Sequence, residues 1–276
     1  MSGPETQITI LADNRADEDL IHEHGLALWI ETGGKKILLD TGQGKSLLLN
    51  AALLGIDLRG TDALVLSHGH YDHTGSVADA LRIAPHADIY PHPASFLPRY
   101  SIRGGEARSV QMPGTAISSI MAHPEQKVHW VNGFTTVTGG IILTGSIPRE
   151  TDFEDTGGPF FLDPGGKRPD LVVDDLALWS VTDEGLVICT GCCHSGIVNT
   201  LRHIMLRTGE KRVKKIIGGL HLVNASRERL EKTAEELNKL RIEELVPCHC
   251  TGDDAVDYLS KNLTCRVTQG YVGMKN

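Results

Sequence analysis

The chain predicts a layered α/β fold, and three observations carry that expectation. Strand-like alternating runs recur at 7–11, 26–31 and 36–39, and again at 176–181 and 186–190. Helical patterns follow each set, at 45–54 and 75–83, then at 196–206, 226–240 and 253–261. With 276 residues, 40% of them hydrophobic and 22% charged, the chain can bury a large core without staples.

The elements follow in order. Thr32-Gly33-Gly34 reads as the turn of a hairpin whose second strand ends in Asp40-Thr41-Gly42. The helix at 45–54 closes with Gly55 at its C′ position. A short apolar strand at 63–66 runs into a histidine-rich loop, and a strand at 87–90 follows the next helix. From about 91 to 169 Pro and Gly are frequent and helical patterns few; 128–131, 135–138 and 140–143 look like strands, and 150–168 like a loop. A long irregular segment within one domain is usually functional. We read 1–276 as a single domain, with 91–169 as an insertion covering its site. In the last third Asp183-Glu184-Gly185 turns a second hairpin, 213–217, 244–246 and 265–269 are strands, and Ser226 caps the helix at 226–240.

The net charge of −8 offers no footprint for nucleic acid or an anionic membrane. The basic run Lys211-Arg212-Val213-Lys214-Lys215 is ordinary for a solvated face. The start, MSGPETQITI, lacks the pattern of a secretory signal, and no apolar run approaches a membrane span. A soluble cytoplasmic protein is expected, its oligomeric state open. Five of the six cysteines sit in two tight clusters, Cys189, Cys192 and Cys193, then Cys248 and Cys250; Cys265 stands apart. Such clusters suggest metal or redox chemistry rather than a disulfide framework.

The densest chemistry lies in His68-x-His70-x-Asp72-His73, four potential ligands in six residues between a strand and a helix. Neutral imidazole and carboxylate suit zinc, iron and manganese. Burying four such groups together is costly without a cation. The scattered His22, His24, His86, His123, His129 and His203 are read as non-ligands.

With this motif the sequence resembles the metallo-β-lactamase superfamily, which implies an αββα sandwich holding two divalent ions, zinc foremost and iron or manganese as alternatives. The resemblance places His68 and His70 on one ion and Asp72 and His73 on the other. It gives Asp40 the task of orienting the metal loop. The family's later ligands are less plain here. Its usual Gly-Asp at a strand end is Gly191-Cys192, so Cys192 is either a thiolate ligand or a small buried residue. His194 is the choice for the third histidine, and His249 in Pro247-Cys248-His249-Cys250 for the last. His221 can be a ligand, an acid or base, a substrate contact or a structural histidine. A rival structural zinc site built from Cys189, Cys192, Cys248 and Cys250 is disfavoured, because Cys189 lies inside a strand.

The segments around Cys192-Cys193-His194, His221 and Cys248-His249-Cys250 resemble the dihydropteroate-synthase-like branch of that superfamily. This implies a small, anionic substrate. Ser195 and Gly196 open one helix and Thr251 precedes another, so a substrate anion is expected at these helix starts. His92, at a strand end, is a further candidate contact. The leading expectation is hydrolysis of a phosphoester or related molecule by a metal-activated water, with Asp72 or His221 handling protons. One alternative is a transferase joining a dihydropterin to a ribofuranosyl-aminobenzene phosphate. Another is a non-catalytic metal- or redox-sensing protein.

Overall fold

The structure, a computed structural model, describes residues 6–276, and in it strand alternation decides which layer each side chain joins. Strands β1 (Thr6–Ala12), β2 (Ala27–Thr32), β3 (Lys35–Leu39), β4 (Ala63–Val65) and β5 (Asp88–Tyr90) form one sheet in that order. On β2, Leu28 and Ile30 enter the central core while Ala27 and Trp29 enter the layer behind it. That is the two-residue period of a strand buried on both faces.

Helices α1 (Ser46–Leu53) and α3 (Val77–Ile83) cover the outer face of this sheet. The short α2 (Tyr71–Thr74) starts inside the histidine motif, and the helix expected at 75–83 follows it as α3, beginning two residues later than expected. The middle segment holds a hairpin, β6 (Tyr100–Arg103) and β7 (Glu106–Ser109), then helix α4 (Gly114–Ala122), which the sequence reading missed. Ala116 and Ile120, four residues apart, bury the inner face of α4 beside α3. The strand expected at 128–131 is reduced to one bridge, Val128 to Ile89. Strands β8 (Thr135–Thr136), β9 (Ile142–Leu143) and β10 (Phe160–Phe161) complete this segment; β10 pairs with β6.

The second large sheet adds β11 (Ala177–Thr182), β12 (Gly185–Thr190), β13 (Arg212–Gly219), β14 (Arg241–Cys248) and β15 (Arg266–Val267), in the order β15-β14-β13-β12-β11-β9-β8. Its outer face is covered by α5 (Ile197–Thr208), α6 (Arg227–Asn238) and α7 (Asp253–Asn262). Ser226 caps α6, accepting from the Arg229 amide at 3.1 Å. The inner faces of the two sheets meet in one core, with Val187 and Cys189 on β12 facing Ile37 and Leu39 on β3. The result is the expected helix–sheet–sheet–helix sandwich. The expectation about the leader rests partly on residues 1–5, outside the described residues. No helix among the described residues is long and apolar enough to cross a membrane.

Candidate metal centre

The loops leaving β1, β4, β12, β13 and β14 converge at one end of the sandwich, because parallel strands deliver their C-terminal ends to the same edge. His68, His70, Asp72, His73, Cys192, His194 and His249 meet there, all buried. One ligand atom from each of His68, Cys192 and His194 lies within 4.8 Å of the others, and the same holds for His73, Cys192 and His249.

Hydrogen bonds set the direction of the imidazoles. Ser67 Oγ donates to Asp40 Oδ2 at 2.6 Å and so accepts from His68 Nδ1 at 2.9 Å. That leaves His68 Nε2 as a lone pair, 2.9 Å from His70 Nδ1. His194 Nδ1 donates to the Thr156 carbonyl at 2.8 Å, and its Nε2 is buried without a hydrogen-bond partner among the described residues. His249 Nδ1 meets Asn14 Oδ1 at 2.9 Å, and its Nε2 faces Asp72 Oδ2 at 3.3 Å. His73 Nδ1 bonds Asp40 Oδ2 at 2.7 Å, turning Nε2 toward Cys192 Sγ at 3.1 Å. Four histidines thus have their outer nitrogen tied to protein oxygen and their inner nitrogen aimed at a shared space. This is the arrangement that orients metal-ligating imidazoles.

Charge agrees with geometry. Burial pushes His68 and His194 well below the ordinary histidine range and His70 down to about 3, so these rings stay neutral donors. Burial opposes ionisation of Asp72 too, but His73, His24 and His249 outweigh it and hold the carboxyl well below its usual range. At His73 burial is outweighed by Asp40 and Asp72, which raise it to about 9. The two carboxylates therefore draw positive charge to the centre. Buried, unpartnered nitrogens at His70 Nε2 and His194 Nε2, with the Cys192 thiol within 4.8 Å of ligand atoms of His68 and His194 and the Asp72 carboxylate beside His249, fit a divalent cation.

Each loop is held by a buried aspartate. Asp40, at φ +60°, accepts from the Ser67 amide at 2.7 Å as well as from His73. Asp174 accepts from the Gly69 amide at 2.8 Å and is gripped by Arg99 and Ser95. A Cβ on Gly69 would lie 2.1 Å from the Ser95 carbonyl, so this close approach needs glycine. Asp175 accepts from the His194 and Ser195 amides at 2.9 and 2.8 Å. Asp13 accepts from the His249 amide at 2.6 Å. Burial raises Asp13 to about 7 and Asp175 to about 6. Cys193, His221 and His249 also hold positive φ, at +60°, +47° and +46°, the strained backbone found at functional sites.

Several expected contacts turn out differently. Ser195 and Gly196 do not offer a free helix start. Glu154 already accepts from the Val198 and Asn199 amides at 2.9 Å, and Ser195 is buried under Asp175. Thr251 Oγ1 is committed to the Cys248 carbonyl and the Leu220 amide. His92 caps a turn through Ala94 and meets Ser146 Oγ with its other nitrogen at 3.0 Å, so neither ring nitrogen is free for substrate. Cys189 and Cys248 lie in the core between the sheets, apart from any four-cysteine site.

His24, a non-ligand in the sequence reading, has its Nε2 3.2 Å from Asp72 Oδ2, at the rim with a half-exposed ring. Asp13, Asp174, Asp175, Glu154 and Asn14 also escaped the sequence reading. Of these, the adjacent Asp174-Asp175 pair just before β11 carries a visible signal. Above the cluster, Phe160 stands 5.0 Å from the His70 ring and 5.3 Å from His194, closing the site from the β6–β10 side.

A four-layer sandwich with a histidine–carboxylate cluster at its strand ends defines a metal-centre class of α/β protein. The sequence model of the Metallo-beta-lactamase superfamily matches residues 22–249, and the chain belongs to that superfamily. It is 32% identical over 243 residues to a 7,8-dihydropterin-6-methyl-4-(beta-D-ribofuranosyl)-aminobenzene-5'-phosphate synthase of Methanocaldococcus jannaschii, covering 83% of this chain and 81% of that one. It is similar to the solved structure of Tm1679, described as a metal-dependent hydrolase of the beta-lactamase superfamily. There the TM-score is 0.85 at 30% identity, over 99% of this chain and 98% of that one. The metallo-beta-lactamase fold protein YhfI from Bacillus subtilis shares the fold alone, at 13% identity and a TM-score of 0.60, with 99% of each chain covered.

Proposed function

We propose that the chain is a metal-dependent hydrolase of a small anionic molecule, a phosphoester or a related compound. In this reading His68, His70 and His194 hold one divalent ion, and Asp72, His73 and His249 the other, with Cys192 between them. Zinc suits this set best, and iron or manganese is compatible. The observation that carries the reading is the set of four imidazoles whose outer nitrogens are tied down and whose inner nitrogens converge on Asp72 and Cys192.

When bound, such ions supply Lewis acidity at a substrate oxygen and make water acidic enough to attack near neutral pH. The chain's own residues do the rest. Asp40, Asp174, Asp175 and Asp13 fix the ligand loops before substrate arrives. Asp72, held ionised, is the proton acceptor we assign. Phe160 keeps bulk water from one side. His221, the other candidate for proton transfer, shares its space with the thiols of Cys192 and Cys250, surroundings better suited to a ligand.

For the anion, Arg103 replaces the helix starts. It lines two cavities, one of about 520 Å³ shared with Asp155 and the 156–159 segment and one of about 410 Å³ shared with Tyr71 and the β6–β7 hairpin, and it makes no ion pair among the described residues. We take 91–169 as part of the single domain, supplying this cover, and the free cysteines fit a reducing, cytoplasmic setting.

Likeness to the Methanocaldococcus synthase favours a second reading, in which the same ions stabilise a pyrophosphate leaving group during transfer. The test compares metal-loaded protein on phosphomonoester, phosphodiester and lactone probes with its action on a dihydropterin pyrophosphate and its aminobenzene partner. Turnover of an ester probe, lost in His68→Ala together with bound metal, is expected. Inert esters alongside an active joining reaction would transfer the assignment to the synthase.

A further inference from the structure

Three neighbouring strands of the second sheet each end in a group that binds soft metals. Cys192 follows β12, His221 follows β13 and Cys250 follows β14. The strands lie side by side and parallel, so their ends arrive together. One ligand atom from each of these residues lies within 4.8 Å of the other two.

The approach is built into the backbone. Gly219 stands where a Cβ would come 2.6 Å from Cys250 Sγ and 2.5 Å from the Gly191 carbonyl, so only glycine lets β13 run this close to Cys250 and the end of β12. His221 holds φ +47°, and its Nδ1 is buried with no hydrogen-bond partner among the described residues. Cys192 and Cys250 are buried and free, not joined as a disulfide. The aspartates that organise the histidine cluster do not hydrogen-bond to this trio's side chains among the described residues.

We propose that Cys192, His221 and Cys250 form a third, thiolate-rich cation position adjoining the histidine–carboxylate centre, with Cys192 as the shared corner. Two thiolates and an imidazole select zinc or another thiophilic ion over magnesium, calcium or manganese. Binding releases thiol protons to solvent and leaves the sulfur oxidation state unchanged. The proposal rests on the binuclear reading above for its neighbour, but it makes a separate statement about which residues bind.

Cobalt(II) titration of the metal-free full chain tests it, reading cobalt equivalents and the near-ultraviolet sulfur-to-cobalt charge-transfer band. The expected wild-type result is a strong band from two thiolates. Cys250→Ser loses one thiolate's share of the band and one equivalent of cobalt, while the visible bands of the histidine-ligated ions persist. His221→Ala, at a half-buried position, weakens cobalt binding at the same step. His68→Ala does the converse, losing a histidine-ligated ion and keeping the charge-transfer band. A Cys250→Ser spectrum and stoichiometry that superimpose on wild type would overturn this position and leave the binuclear reading standing. A wild-type chain that takes up no cobalt overturns both.

Discussion

The two sheets build their shares of the centre in opposite ways. The first supplies His68, His70, Asp72 and His73 from one segment after β4, a loop running into α2, all nitrogen and oxygen donors within six residues. The second supplies Cys192 and His194 after β12, His221 after β13, and His249 and Cys250 after β14. A single loop keeps its ligands together by local chain geometry. Three separate strand ends depend on the register of the whole sheet, so their ligands are positioned only once the sandwich has formed.

That difference can be broken from either side. The largest effect expected is from Asp174→Ala, which leaves the buried Arg99 guanidinium with Asp170 as its one remaining ion-pair partner beside the Ala94 carbonyl, and frees the Gly69 amide. Removing one partner of a buried ion pair costs about 3 kcal/mol. Urea unfolding checks it, and a loss below about 0.5 kcal/mol would contradict the role given to Asp174.

Asp40→Asn attacks the first loop alone. It weakens the bonds from Ser67 and His73 without changing size. Metal affinity should fall about 10- to 100-fold, as for other residues that orient ligands. Competition with a chromophoric chelator reads it directly, and an unchanged affinity would count against the assigned role.

Arg103→Ala leaves both ligand sets intact and removes a cation from the two flanking cavities. One lost charge-assisted contact to an anionic substrate is worth about 1.5 kcal/mol, close to tenfold in KM, with kcat little changed. Equal KM for anionic and neutral probes in both proteins would argue against the anion reading.

The smallest effect is expected from Glu154→Ala, which acts on the second sheet through the start of α5. Removing a helix cap costs about 1 kcal/mol. Because Thr156, which orients His194, lies on the same segment, bound metal should also become easier to extract. A thermal-shift series with and without chelator separates the two effects.

The same contrast explains what the sequence could reveal. The layered fold was legible because strand alternation and helix periodicity follow burial residue by residue, as on β2 and β12. The histidine motif was legible because its ligands are neighbours in the chain. His194, His249 and Cys192 came together near His68 and His73 as the family resemblance implied. The contact of His24, read as a non-ligand, with Asp72 is invisible in the sequence because only the fold brings the two together. Asp13 and Glu154 were overlooked because their partners are backbone amides, which leave no trace in side-chain spacing. The expectation of an anion at the α5 start meets a related obstacle. A helix start looks available in sequence, and only the structure shows Glu154 already occupying it.

The central claim is that both sheets hold metal together, and metal content measured beside activity tests it most directly. The account predicts at least two tightly held divalent ions per chain, and a loss of metal and turnover together in His68→Ala. A wild-type chain without stoichiometric metal, or a His68→Ala protein with its full complement and unchanged turnover, would contradict it.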